Sequence, residues 1–268
     1  DAAPTVTLSG GAAIAENAGI ATITATLSAT SALPVTVNLA YSGTATDPAD
    51  YTTTSASILI PAGSLTGTVT ITGVDDALNE GDETVIVDID TVTNGTEVGT
   101  EQETVTITDD DAAPTVTLSG GAAIAENAGT ATITATLSAT SGLPVTVTLL
   151  YSGSATDPAD YSTTGASILI PAGSLTGTVT ITSTDDALNE GDETVIVDID
   201  TVTNGTEVGT EQETVTITDD DAAPTVTLSG GAAIAENAGT ATITATLSAT
   251  SALPVTVNLS YSGTATLT

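Results

Sequence analysis

No lysine, arginine or histidine occurs in this chain of 268 residues, whereas Asp and Glu number 34 and give a formal charge of −34. Side-chain salt bridges are therefore excluded, and nucleic acid and anionic membrane surfaces are poor partners for so acidic a chain. Cysteine is absent too, so a disulfide-stapled secreted fold and thiolate metal sites are excluded, although that absence leaves the compartment open. With neither His nor Cys, zinc, copper and iron–sulfur clusters are poor candidates for any metal site. Phe, Trp and Met are missing as well, which leaves an aliphatic core. No apolar run approaches 18 residues, so no membrane insertion is expected in this segment, and no signal-peptide pattern is present. A chain opening on Asp1 reads as a window of a longer polypeptide whose targeting and anchoring segments lie elsewhere.

What is present points to folding. An excess of one charge usually means disorder, yet 40% of the residues are apolar, and Val, Ile, Leu and Thr alternate along well-defined runs. Asp1, Asp111 and Asp221 open copies of one unit with a period of 110 residues, and the first two copies differ at nine positions, among them Ile20/Thr130, Ala40/Leu150 and Gly73/Ser183. The expected domains are residues 1–111, 112–221 and a partial third repeat, 222–268, which ends Leu267-Thr268 where its siblings have Asp-Pro. Within one unit, period-two runs bounded by Gly, Pro, Asn and Asp predict seven strands: Thr5 to Ser9, Ala21 to Ser28, Val35 to Tyr41, Ser57 to Ile60, Gly67 to Thr72, Thr84 to Val92 and Glu103 to Thr108. Seven short strands in about 110 residues fit an all-β, immunoglobulin-like β-sandwich, and the tandem copies fit a beads-on-a-string array. The partial repeat holds the first three of these strands and is too small to close a sandwich alone.

Strand direction sorts the acids. In an antiparallel sandwich, loops at one end follow every second strand. Glu16, Asp50, the loop carrying Asp75, Asp76, Glu80 and Glu83, and the triplet Asp109, Asp110 and Asp111 therefore converge at one pole. Two unit charges about 4 Å apart repel by roughly 4 kcal/mol at an effective dielectric of 20, so the cluster binds cations or opens. All-oxygen ligands on adaptable loops favour Ca2+, which takes about 6 to 8 oxygens, over strictly octahedral Mg2+, and so many carboxylates predict more than one ion per complete repeat.

The order of these acids carries a family resemblance. Gly43-Thr44-Ala45-Thr46-Asp47-Pro48-Ala49-Asp50-Tyr51, then Asp75-Asp76 with Glu80 and Glu83, then Ile107-Thr108-Asp109-Asp110-Asp111, closely resembles the Calx-beta family. The resemblance covers both complete units and the first half of the third. It implies immunoglobulin-like sandwiches of the kind found in sodium–calcium exchangers, an integrin beta subunit and large extracellular or bacterial surface proteins. It also implies calcium ligands at Glu16, Asp50, Asp75, Asp76, Glu80, Glu83, Asp109, Asp110 and Asp111. The second set is Glu126, Asp160, Asp185, Asp186, Glu190, Glu193, Asp219, Asp220 and Asp221. In the third unit only Glu236 remains.

Other features have plainer readings. Asp88, Asp90, Glu97, Glu101 and Glu103 read as a solubility face that discourages strand edges from pairing; Asp47 and Asp82 read as turn residues. Thr-x-Thr rows are ordinary strand surface rather than an ice-binding face. Asn94-Gly95-Thr96 fits a glycosylation sequon but reads as a turn. Paired carboxylates without an aromatic platform or a positive group do not make a glycosidase, and no enzyme is expected. The expected role is a calcium-stiffened structural segment of a long extracellular fibre, stalk or adhesin. Its partners are neighbouring repeats of the same chain, with lateral or end-to-end self-assembly into filaments. The alternative is a regulatory calcium-sensor pair controlling an attached protein.

Overall fold

A computed structural model describes residues 2–264, so the Leu267-Thr268 ending lies outside the described residues. The chain forms two compact units, one of residues 2–115, 138–145 and 171–175 and the other of residues 116–137, 146–170 and 176–264. Among the described residues there is no helix.

In the first repeat the strands are β1 (Thr5–Ser9), β2 (Ala13–Ala15), β3 (Ile20–Leu27), β4 (Val35–Gly43), β5 (Tyr51–Thr53), β6 (Ser57–Ile60), β7 (Thr66–Gly73), β8 (Glu83–Thr93), β9 (Thr96–Glu97) and β10 (Gln102–Thr108). They build two five-stranded sheets, ordered β5-β7-β3-β1-β9 and β2-β10-β8-β4-β6. All seven expected strands form. The three additional strands, β2, β5 and β9, are edge strands of two or three residues. Runs that short show no periodicity, and only pairing with a neighbour makes them strands. β2 lies parallel to β10 and β9 parallel to β1, while the other pairs are antiparallel. The second repeat has the same ten strands, from Thr115–Ser119 to Gln212–Thr218, in the same sheet orders.

Successive side chains on a strand point to opposite faces, and most of the β-branched aliphatics fall on the inward one. One sheet contributes Val6, Leu8, Ile23, Leu27, Val69 and Ile71, and the other Val35, Val37, Ile58, Ile60, Val85, Val87 and Val105; all are buried. Ala21 and Ala25 on β3 fill the space between larger neighbours. The aromatic contribution is Tyr51, buried, and Tyr41, half-buried, with ring centroids 6.5 Å apart. Tyr41 Oη donates to the Ser55 carbonyl at 2.9 Å. Asn94 adopts φ 63° in the turn between β8 and β9 and donates through Nδ2 to the Pro34 carbonyl at 2.9 Å, the turn role its sequence suggested.

The third repeat departs from expectation in one strand. Val226–Ser229 pairs antiparallel with Thr244–Leu247, but Val255 to Tyr261 forms no strand. In the first repeat the equivalent β4 lies between β8 and β6, and residues 222–264 contain no counterpart of either. A strand is defined by its pairing, so the sequence pattern alone does not make one.

Two left-handed glycines differ in what surrounds them. At Gly10, φ is +115° and a Cβ would lie 2.1 Å from the Thr22 carbonyl oxygen; at Gly63, φ is +80° and nothing lies within 4 Å. Gly63→Ala is expected to cost about 1–2 kcal/mol from the left-handed backbone alone. Gly10→Ala is expected to cost more, because a backbone oxygen of β3 must also move. Urea midpoints of the two variants check this order.

Candidate metal centre

Four chain segments meet at one end of the first sandwich. Glu16 follows β2 and is anchored by its own backbone N–H, which donates to the Thr108 carbonyl at the end of β10 at 3.0 Å. Asp50 closes the β4–β5 connection, where its Oδ2 accepts from Thr46 N at 2.6 Å and Thr46 Oγ1 at 2.8 Å. Asp76 and Glu80 lie on the β7–β8 loop, Glu83 opens β8, and Asp109 to Asp111 follow β10.

Local hydrogen bonds aim most of these carboxylates. Asp76 Oδ1 accepts from Leu78 N at 2.7 Å, so the side chain makes its own turn, and Asp76 N donates to Glu16 Oε1 at 3.3 Å. Asp109 Oδ2 accepts from Asn79 Nδ2 at 2.9 Å and Gly81 N at 3.3 Å. Asn79 Nδ2 also donates to the Asp111 carbonyl at 3.1 Å.

The outcome is two groups of three acids, Glu16, Asp76 and Asp111 in one and Asp50, Glu80 and Glu83 in the other; within each, carboxylate oxygens lie within 4.8 Å of one another. In the second repeat the groups are Glu126, Asp219 and Asp221, and Asp160, Glu190 and Glu193. Of the residues singled out by sequence, Asp75, Asp109, Asp110, Asp185, Asp186 and Asp220 belong to none of these groups. Asp186 stays beside Glu126 through a backbone hydrogen bond of 3.4 Å, while Asp109 stands beside Asp111 through one of the same length. Glu236, in the third repeat, is exposed and belongs to no such group.

Burial and like charge act together here. Glu16 is only 6% exposed. That burial, with the charges of Asp76, Asp109 and Asp111, pushes its carboxyl up to about 7, although the Asp76 N–H pulls the other way. Glu83 is raised to about 7, first by burial and then by Asp50, Glu80 and Glu16; Glu193 is raised to about 7 for the same reasons. Glu80 and Asp111 are raised in the same direction, again with burial as the main cause.

One atom in each repeat tests whether these residues suit a cation. Asp111 Oδ2 and Asp221 Oδ2 are buried and have no hydrogen-bond partner. Leaving a carboxylate oxygen buried and unpaired is costly, and a chain without positive side chains has no side-chain cation to pair with it. A hard divalent cation fits an all-carboxylate donor set of this kind.

Two roles were not apparent from the sequence. Asn79 and Asn189 hold the final acidic triplet to the loop before β8 and its counterpart; their only signal is an amide inside an acid-rich loop. Glu101 and Glu103 are more than a solubility face, since Glu101 Oε2 accepts from Leu8 N at 3.0 Å and Glu103 Oε2 from Gly11 N at 2.6 Å. Their carboxylates satisfy backbone donors of β1 and the turn after it.

These features define a tandem all-β protein of immunoglobulin-like sandwiches, each complete one with an acidic end. The Calx-beta domain family matches residues 1–111 and 109–221, and the chain belongs to that family. Solved structures to which the chain is similar include CBD12 from CALX1.2, at 15% identity and a TM-score of 0.37, covering 80% of this chain and all of that one. The calcium binding domain CBD12 of CALX1.1 is 18% identical with a TM-score of 0.37, covering 74% of this chain and 80% of that one. The Yersinia pseudotuberculosis adhesin InvE is 15% identical with a TM-score of 0.38, covering 80% of this chain and 58% of that one. No curated protein sequence matches the chain. No helix among the described residues is long and apolar enough to cross a membrane.

Raised carboxyl groups make stability depend on pH in a defined direction. Glu16 and Glu83 bind a proton more readily in the folded state than the ordinary value of 4.5 implies for the unfolded chain. Their contribution to stability is therefore fully present below about pH 4.5 and is lost as pH rises through about 7. Thermal melts in EDTA across this window are expected to show that loss, and Glu16→Gln is expected to flatten it.

Proposed function

We propose that this chain is a calcium-binding structural segment of a long extracellular or cell-surface fibre, stalk or adhesin, in which Ca2+ at the end of each complete repeat stiffens the array. The observation that carries this reading is the buried, unpartnered Asp111 Oδ2 in a carboxylate triad of a chain that has no cation of its own. Glu16, Asp76 and Asp111 would hold one ion and Asp50, Glu80 and Glu83 another, with Asp75, Asp109 and Asp110 adding charge around them. Glu126, Asp186, Asp219 and Asp221, and Asp160, Glu190 and Glu193, do the same in the second repeat, beside Asp185 and Asp220. Calcium supplies the positive charge that offsets carboxylate repulsion. No catalytic role is assigned to these acids.

The stiffening role draws on sequence order. Asp111 is followed by Ala112-Ala113-Pro114 and then directly by the first strand of the next repeat, so the linker has little slack. An ion bound by the last residues of one repeat restrains the chain where the next begins. Near-identical tandem repeats suit an extended array that self-associates end to end or laterally, as a fibre requires.

Calcium at about 100-fold above its Kd adds about 2.7 kcal/mol per site, which corresponds to a rise in Tm of about 10 °C or more for a domain of this size. Asp111→Asn is expected to remove the share of the rise that the Glu16, Asp76 and Asp111 site contributes in the first repeat, and Asn79→Ala to weaken calcium binding by about 10–100-fold. A Tm indifferent to calcium would overturn the reading. An affinity near 10⁻⁴–10⁻³ M fits an extracellular module, whereas about 10⁻⁷–10⁻⁵ M would shift the role to a regulatory sensor. Small-angle scattering with calcium and with chelator tests the stiffening, which equal maximum dimensions would refute.

A further inference from the structure

The first compact unit takes in residues 138–145 and 171–175, which belong by sequence to the second repeat. Asn79, on the acidic β7–β8 loop, is bonded to that segment directly. Its backbone carbonyl accepts from Ser141 Oγ at 2.9 Å and from Gly142 N at 3.0 Å, and Asn79 and Ser141 form an isolated parallel β-bridge. The Ser141 carbonyl accepts in turn from Gly173 N at 2.8 Å, which ties in residues 171–175. Ser141 is 1% exposed, so its hydroxyl has to find its partner inside the protein. The same bonds recur within the second unit, where the Asn189 carbonyl accepts from Ser251 Oγ and from Ala252 N, both at 3.1 Å.

The serine is prepared for this bond by its own turn. Ser141 Oγ accepts from Leu143 N at 3.1 Å, as Ser31 Oγ does from Leu33 N at 3.1 Å and Ser251 Oγ from Leu253 N at 3.2 Å. With the oxygen engaged in the turn, the hydroxyl hydrogen is left to donate, and the Asn79 carbonyl receives it. Asn79 is thereby held from two sides. Its Nδ2 donates to Asp109 Oδ2 at 2.9 Å and to the Asp111 carbonyl at 3.1 Å, while its own carbonyl is held by Ser141 and Gly142. Asp76, Glu80 and Glu83, which supply acids to both triads, lie within four residues of it. Gly142 also leaves room for one of them: a Cβ there would lie 2.6 Å from Glu80 Cγ and 2.8 Å from Glu80 Oε1. A side chain at 142 would displace the Glu80 carboxylate, the flexible partner in that contact.

We propose that Ser141 and Gly142 are positioning residues for the acidic loop of residues 76–83: together they clamp the Asn79 carbonyl and so hold Asp76, Glu80 and Glu83 in the geometry that receives a cation. Ser251 and Ala252 do the same for residues 186–193. The acidic end of a complete repeat is then built in part by a turn that lies beyond its own sequence boundary, within the same compact unit. Clamp and ion are linked reciprocally, so the factor by which the clamp raises cation affinity is the factor by which the ion strengthens the clamp. That linkage rests on the calcium reading above, and the clamp does not.

The test is hydrogen exchange read by mass spectrometry on the full 268-residue chain, in EDTA and through a calcium titration. Residues 74–83 and 184–193 are distinguishable because Val74 stands where the second repeat has Thr184. The amides of Leu78 and Gly81, bonded to Asp76 and Asp109, report on the first loop. In EDTA, Ser141→Ala is expected to speed exchange across 74–83 by about 2–10-fold, the loss of one net hydrogen bond, and to leave 184–193 unchanged; Ser251→Ala should do the reverse. In calcium, Ser141→Ala is expected to raise the midpoint of protection across 74–83 by a similar factor. Gly142→Ala, which keeps the N–H donor, should raise that midpoint through Glu80; an unmoved midpoint overturns the role given to Gly142. If Ser141→Ala instead lowers Tm and loosens only 184–193, the serine merely supports the sandwich it belongs to by sequence, and the proposal fails. Faster exchange in EDTA with an unmoved calcium midpoint also overturns the positioning role. If calcium protects neither loop in the unaltered chain, the calcium reading fails, and exchange in EDTA alone decides the clamp.

Discussion

With no positive side chain anywhere in the chain, each carboxylate that folding brings to the end of a sandwich has to be solvated, bonded to a backbone donor, protonated, or balanced by an external cation. The first three are seen in the structure, and the fourth is what the calcium proposal supplies. Asp75 and Asp110 stay exposed to water. Asp50, Asp76 and Asp109 take backbone or side-chain N–H and O–H donors from their own loops. Glu16 and Glu83 are held closer to protonation than ordinary carboxyls. Asp111 Oδ2 is buried with no hydrogen-bond partner, and it is the atom on which the calcium proposal rests.

The same constraint separates the structural acids from the metal-binding candidates. Glu101 and Glu103 are bonded to backbone donors of β1 and the following turn, which fixes β10 and its approach against the first strand without any ion. At the other acidic cluster, hydrogen bonds orient carboxylates towards one another rather than neutralising them. Oriented like charges without an internal counter-charge are a costly arrangement that a divalent cation would make favourable, which is the physical basis of the calcium proposal.

The aliphatic core explains why half of a repeat behaves so differently from a whole one. With no Phe, Trp or Met, each inward side chain is a small contribution, and each sheet depends on the other to cover it. Val6 and Val116 are fully buried; Val226, in the same local sequence, is not. Burial here belongs to the assembled sandwich and not to the strand.

The seven main strands, the 110-residue repeat and the acids that share one end were legible because each leaves a direct trace in the chain: period-two alternation, self-similarity, and loop order in an antiparallel fold. The edge strands β2, β5 and β9 left no such trace, since two or three residues become a strand only by pairing. Loop order brought Asp75, Asp76, Asp109 and Asp110 to the same end but could not choose among them. That choice fell to tertiary structure, which placed Asp76 and Asp111 beside Glu16, left Asp75 and Asp110 in solvent, and used Asn79 to fix Asp109. Sequence by itself determined which residues reach the acidic end, because strand direction decides that. Only the folded loops determined which oxygens approach within ligand distance and which one is buried without a partner, because those depend on side-chain direction and on hydrogen bonds between segments far apart in the chain.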